Sequence, residues 1–375
     1  MAALIGMVLI DSVFVSTVSV RATSSTFLRE TLESFDSDGH VLVVLPINLL
    51  GLANRLRTLS SVYSVLCRLR ATPNGGRPFK LLAVWESTDD CPAEYGDLFL
   101  PHGDDNVVVE SYDSLWRTDK HEWSFEETVR AHIRSVLAEL PSSRGGVYSK
   151  QIYPQRGLLE EDFFYPMREA AANISAMRPI VLTVWTRGTH SLRSMQCRDF
   201  LYTKSLFYKG LDPVPAVASI IRDALYRSSF SQGRVIVGIH TRAFDSGYDW
   251  AVVGPGGTGE DKSLRFDEAS PLDAFVHIMG EILRYEPTTL FFVASNSAIA
   301  KMELLRRFPG NSIAVHRSDP VGDREYRSTL NGMQFALAEF FLLGEAAIVV
   351  HSRGSSFARE AAARLQRPVV DVSAS

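Results

Sequence analysis

Short apolar runs alternate along this chain with longer stretches in which apolar residues return every third or fourth position. Residues 41–47 (VLVVLPI) predict a buried strand, residues 49–52 turn the chain, and residues 53–69 predict a helix. In that helix Leu56, Leu59, Val62, Tyr63, Leu66 and Cys67 fall on one face. Residues 79–85 (FKLLAVW) predict a second strand, and this strand–helix–strand order implies a parallel sheet with crossover helices. Residues 107–109 and 180–185 are further strand candidates, and the mixed stretch 113–179 holds a helix over 124–140. The second half is more regular. Helices at 215–226, 271–285, 298–307, 330–343 and 356–365 alternate with strands at 234–240, 290–294, 312–316, 347–350 and near Val369. The fold class is α/β, doubly wound, with a boundary between residues 202 and 212 that separates a domain at 40–205 from one at 206–375.

A chain of 375 residues, 46% hydrophobic and 22% charged, suits two domains or one large one with a sizeable core. A net charge of −4 argues against general nucleic-acid binding. Residues 1–22 are apolar apart from Asp11, several hydroxyls and Arg21, and lack a basic start. They read as a signal peptide or membrane anchor, or else as a buried strand. The sequon Asn173-Ile174-Ser175 fits a secretory route, through the endoplasmic reticulum or Golgi. The three cysteines have no zinc spacing. Cys67 lies in an apolar helical pattern, and pairing of Cys91 with Cys197 in an oxidising compartment stays open.

Five features could carry chemistry. Gly51-Leu52-Ala53-Asn54-Arg55 follows a strand and opens a helix, where unpaired N–H groups favour anions; it is equally an ordinary turn. The strand 235–239 ends in His240-Thr241-Arg242, which presents an imidazole and a guanidinium on one side, or else a solvated strand end. Ser295 and Asn296 follow the strand LFFVA and line a cleft, while Ser297 suits a helix cap. Glu339 interrupts a strongly apolar helix; a carboxylate there can accept from the N1–H and N2–H edge of guanine, or face solvent at the helix margin. Ser355, Ser356 and Phe357 follow the strand-and-turn segment VVHSRG and open a helix, giving an anion site, a cap, or both.

GLANRLRTLSSVYSVLCRLR, VIVGIHTR, FFVASNS and FFLLGEAAIVVHSRGSSFAREAA occur in the same order as, and resemble, the motifs of the fucosyltransferases that modify protein hydroxyls, the N-glycan core or rhizobial chitin oligosaccharides. The likeness runs from about Val41 to the end of the chain. It implies a GT-B fold, two Rossmann-like domains facing across a cleft, and an inverting transfer from GDP-fucose that needs no metal or cofactor. By this resemblance Arg242 holds the β-phosphate, His240 and Glu339 read guanine, Ser355, Ser356 and Phe357 hold phosphate and fucose, and Asn54 faces the sugar. Gly51, Arg55, Ser295 and Asn296 complete the expected contacts. The acceptor would be a hydroxyl of a glycan or glycoprotein.

The chemistry of the residues agrees with those roles. Expulsion of a diphosphate is eased by cations and N–H donors aimed at the leaving oxygens. A carboxylate can take the acceptor proton, and Asp245 and Asp249, just past Arg242, are the candidates, with Asp249 preferred. The chain departs from the pattern at Ala243, where several relatives carry a second arginine, at Asn296 in place of Asp, and at Glu339 in place of Asp. Those departures keep two alternatives: a member that binds a GDP-sugar or glycan without transferring it, and a transferase using another nucleotide sugar. A nicotinamide-dependent oxidoreductase is disfavoured, because the turn at Gly51 lacks the spaced glycines.

Overall fold

A computed structural model describes residues 41–48, 51–71, 79–112, 125–139, 148–152, 180–184, 197–227, 233–243, 269–315 and 329–373. The first half is built from β1 (Val41–Ile47), α1 (Leu52–Arg70), β2 (Phe79–Trp85), β3 (Val107–Ser111), α2 (Phe125–Glu139), β4 (Tyr148–Ile152) and β5 (Ile180–Val184). Its strands form one parallel sheet in the order β3-β2-β1-β5-β4. Two helices follow, α3 (Cys197–Lys209) and α4 (Pro215–Arg227). The second half comprises β6 (Ile236–Thr241), α5 (Leu272–Tyr285), β7 (Leu290–Ser295), α6 (Ala298–Arg307), β8 (Ser312–Ile313), α7 (Leu330–Glu345), β9 (Ile348–Ser352), α8 (Ser356–Arg364) and β10 (Val369–Val372). Its sheet is also parallel, in the order β10-β9-β6-β7-β8.

The apolar runs became central strands because both faces are covered. Leu42 to Leu45 and Leu290 to Ala294 are essentially without solvent exposure. The β/α alternation of the pattern is therefore the alternation of the fold. Two elements add detail to the pattern. β4, YSKQI, is a strand within the mixed stretch; its polar residues hide the alternation of an edge position. Residue 205 lies within α3, whose helical face carries the buried Phe200, Lys204, Phe207 and Tyr208. The change from one sheet to the other lies between Val184 and Ile236, an interval that includes residues 202–212.

The connection after α3 is pinned rather than loose. Leu100 N–H donates to the Asp212 carbonyl at 2.8 Å, and Val214 N–H donates to that of Leu98 at 3.0 Å. The His102 ring stacks on Phe207, and a Cβ at Gly210 would fall 2.4 Å from that imidazole. From the other half, Gln334 on α7 donates to the Asp97 carbonyl at 3.1 Å. One apolar cluster consequently runs through α1, α3, α7 and α8 and joins both halves.

Close helix packing makes two glycines behave oppositely. A Cβ at Gly344, on α7, would meet the Ala361 carbonyl oxygen of α8 at 2.8 Å, whereas a Cβ at Gly280, within α5, meets nothing within 4 Å. Urea unfolding should therefore show Gly344→Ala destabilised by about 1–3 kcal/mol through overpacking. Gly280→Ala should be stabilised by about 0.5–1 kcal/mol through helix propensity.

Candidate functional site

In the second sheet the strand order reverses between β6 and β9, since β7 lies on one side of β6 and β10 on the other side of β9, and ligands of open α/β sheets bind beyond the carboxyl ends at such a reversal. The chain delivers His240, Thr241 and Arg242 to that edge from β6, and Ser352 to Ser355 from β9. Arg242 N–H donates to Ser352 Oγ at 2.9 Å, which ties the two strand ends together. Gly354 turns the chain with φ of 75°, a conformation glycine adopts without a Cβ clash, and Ser355 N–H closes the turn on the Ser352 carbonyl at 3.0 Å. Ser355 then caps α8 through Ala358 N–H. Ser355 Oγ and His240 Nδ1 also share a hydrogen bond at 3.2 Å, so one hydroxyl serves both the cap and the imidazole.

His240 is buried and stacks on Phe357, with ring centroids 5.2 Å apart and planes 23° from parallel. Phe340 of α7 meets the Phe357 ring edge-on at 5.6 Å. Burial, reinforced by His351, Arg242 and Lys301, pushes the His240 pKa down to about 3, so its ring is neutral at physiological pH. Glu339 is buried and ion-paired with Lys301 of α6. Glu339 adjoins Phe340, whose ring meets the Phe357 ring on which His240 stacks. His240, Arg242, Ser355, Phe357 and Glu339 thus come together, with the buried Ser356 beginning α8 beside them. Gly51 and the half-buried Asn54 lie at the start of α1, off the end of β1, where the first sheet has its own reversal between β1 and β5.

Three expected contacts have other work. Arg55 is fully buried, bonded to the Glu86 carbonyl and to Thr88 Oγ1, and lies 4.9 Å from the Trp85 ring; it anchors α1 to the end of β2 instead of facing a ligand. Ser295 is buried, accepts from Thr241 Oγ1 at 2.8 Å and from Ser297 N–H at 3.0 Å, and so joins the ends of β6 and β7 from behind. Asn296 donates its amide to the Ala243 carbonyl at 2.5 Å, holding the backbone just past Arg242. An aspartate there could not donate that bond, which gives the amide a reason of its own. Gly51 is not forced by sterics, since a Cβ would make only ordinary contact with the Asp90 carbonyl oxygen at 3.6 Å. Asp245, Asp249 and residues 1–22 lie outside the described residues. Cys91 is a buried thiol, and the side chain of Cys197 lies outside the described ones.

Lys301, Ser352 and Thr241 were missed as site residues. Lys301 sits on a helix rich in charged residues, and its burial follows only from its meeting Glu339 across 38 positions of sequence. The hydroxyl pattern HSRGSS did carry a signal for Ser352. Among the described residues no cluster of His, Cys, Asp and Glu could hold a metal ion. No helix among them is long and apolar enough to cross a membrane.

No protein-family model matches the sequence, and no curated protein matches it either. Solved structures do match. An Arabidopsis thaliana FUT1 mutant in complex with GDP superposes with a TM-score of 0.50 and 16% identity, over 93% of this chain and 74% of that one. The chain has a fucosyltransferase fold. Fainter likenesses are the fucosyltransferase NodZ from Bradyrhizobium, with a TM-score of 0.46 and 18% identity over 89% and 96% of the two chains, and POFUT1 in complex with GDP-fucose, at 0.44 and 11% over 90% and 99%. Within the fucosyltransferase fold, the two parallel sheets are the two Rossmann-like halves of a GT-B architecture.

Two outcomes follow from this geometry. The neutral His240 refuses a proton that the unfolded chain accepts between its ordinary value of 6.5 and about 3, so stability is full above pH 6.5 and falls as pH drops through that window. The slope approaches about 1.4 kcal/mol per pH unit for this group, and His240→Asn should flatten it in urea titrations at pH 5 to 7. Arg55→Met should cost about 2–3 kcal/mol of stability in urea unfolding, since it strips the guanidinium from its buried acceptors.

Proposed function

We propose that this chain is an inverting, metal-independent glycosyltransferase that transfers fucose from GDP-fucose to a hydroxyl of a glycan or protein in the secretory pathway. The observation that carries the reading is the switch-point cluster, in which the backbone that carries Arg242 is fixed by Ser352 beside the Ser355-capped start of α8. A guanidinium and a helix N-terminus aimed at one crevice match the diphosphate released as the glycosidic bond breaks, and stabilise the charge that develops on it. Beside them, Glu339 offers acceptors for the N1–H and N2–H of guanine, and the paired Lys301 offers a donor for O6. The neutral His240, flattened against Phe357, completes the base-binding wall. Asn54 contributes to the sugar side from the other half, and Asp249, or else Asp245, takes the proton from the acceptor hydroxyl. The A. thaliana FUT1 structure of the same fold holds GDP, which supports the donor class.

Thermal shifts against GDP, GDP-fucose, UDP and NAD test the reading. GDP and GDP-fucose should stabilise the protein, by about 2.7 kcal/mol at roughly a hundredfold excess over Kd, and UDP and NAD should not. A response to NAD with none to GDP compounds would overturn it. Release of GDP from GDP-fucose should fall about 100-fold or more in Arg242→Ala. GDP binding with no release by the unaltered protein would instead identify a binder that does not transfer. Asp249→Asn should abolish transfer with donor binding intact, and full turnover would move the base to Asp245.

A further inference from the structure

A charged cluster lies buried in the apolar seam between the halves. Lys204 Nζ of α3 sits 2.8 Å from Glu360 Oε1 and 2.6 Å from Oε2, and the two side chains are 2% and 1% exposed. Tyr208, one turn further along α3, donates its hydroxyl to Glu360 Oε2 at 2.6 Å and lies 3.4 Å from Ser60 Oγ of α1. Its ring also packs against Phe340 of α7, 5.8 Å between centroids. Arg57 of α1 lies near enough to influence Lys204 and Tyr208. Around it the seam is built largely from apolar side chains, with small buried hydroxyls at Ser60, Ser61, Ser64 and Ser205.

The surroundings explain why charge is useful there. The face that α8 buries is mostly alanine, at Ala358, Ala361, Ala362 and Ala363. Methyl groups supply close contact but few ridges, so they leave the helix poorly fixed along its own axis. Glu360 is the long side chain on that face, and a buried ion pair has one low-energy partner and one register. It is one turn, about 6 Å, from Ser356 at the start of α8. On α1, Ser60 is about 9 Å along the axis from Asn54. The same cluster therefore reaches the two helices whose first turns carry the candidate donor and sugar contacts.

We propose that Lys204, Tyr208 and Glu360 form an interdomain lock that sets the position of α8, and with it the Ser355–Phe357 turn, against α1. Glu360 is accordingly a positioning residue for the donor site. The assignment rests on the GDP-sugar reading for its functional consequence, but the lock itself has a readout independent of it.

The test replaces the three locking groups with apolar groups of similar volume, Lys204→Met, Tyr208→Phe and Glu360→Leu together, and compares it with Glu360→Gln alone. The triple variant should melt no lower than the unaltered protein, because the desolvation cost of the charges disappears with them. It should nevertheless bind GDP about tenfold more weakly. Hydrogen exchange should quicken at residues 356–360 while β7 and α5 keep their protection. Glu360→Gln should move affinity and exchange in the same direction by a smaller factor. A triple variant with unchanged GDP affinity and unchanged exchange would overturn the proposal. So would one that fails to fold, since the cluster would then be needed for folding itself. Failure of the unaltered protein to bind GDP would overturn the GDP-sugar reading instead, and the exchange measurement would still decide the lock.

Discussion

Parallel pairing of β6 with β9 is the constraint on which the candidate site depends. Parallel neighbours cannot be joined by a tight turn, so the chain must leave each strand and cross over a face of the sheet. With β7 and β8 on one side of β6 and β9 and β10 on the other, the strand order reverses between β6 and β9, the position at which open α/β sheets take their ligands. The polar groups at that edge then satisfy one another across the gap: Ser352 with Arg242, and Ser355 with His240. Each bond also fixes a direction. The first holds the backbone that carries the guanidinium, and the second holds the imidazole flat against Phe357.

The packing behind this edge is tight enough to keep it there. Gly238, in the middle of β6, would place a Cβ 3.0 Å from a Leu343 methyl and 3.2 Å from that of Ala346, so α7 lies directly on the strand. Gly344 allows a similar approach of α8 to α7. These contacts bring the aromatic series Tyr208, Phe340 and Phe357 into one line from the interdomain seam to His240. The apolar seam supplies most of the association between the halves, through burial of side chains from α1, α3, α7 and α8. The polar groups within it, Lys204, Glu360, Tyr208 and Gln334, add direction rather than area.

Electrostatics at the site follow from the same burial. Lys301 and Glu339 neutralise each other in a place where either alone would be costly. His240 escapes the cost by remaining uncharged, with two cations nearby that oppose its protonation. The result is one neutral ring and one buried acceptor–donor pair, next to a half-buried arginine and a capped helix start.

The sequence by itself determined the elements and their order. Strand β2 and helix α6 coincide with the expected ranges, because apolar runs and helical spacing are local properties that burial then rewards. It also determined that His240, Arg242 and Ser355 stand at strand ends, since a strand that stops at polar residues stops at the sheet edge. Tertiary structure alone decided which of those edges meet and which polar side chains face inward. Arg55 reads like a phosphate ligand beside Gly51 and Asn54, yet it is spent on the Glu86–Thr88 segment, which comes within reach only when β2 pairs with β1. Lys301 and Glu360 read like surface charges, and become buried because Glu339 and Lys204 arrive from distant helices. Local patterning sets periodicity, but the partner of a charge depends on long-range packing that no window of sequence contains.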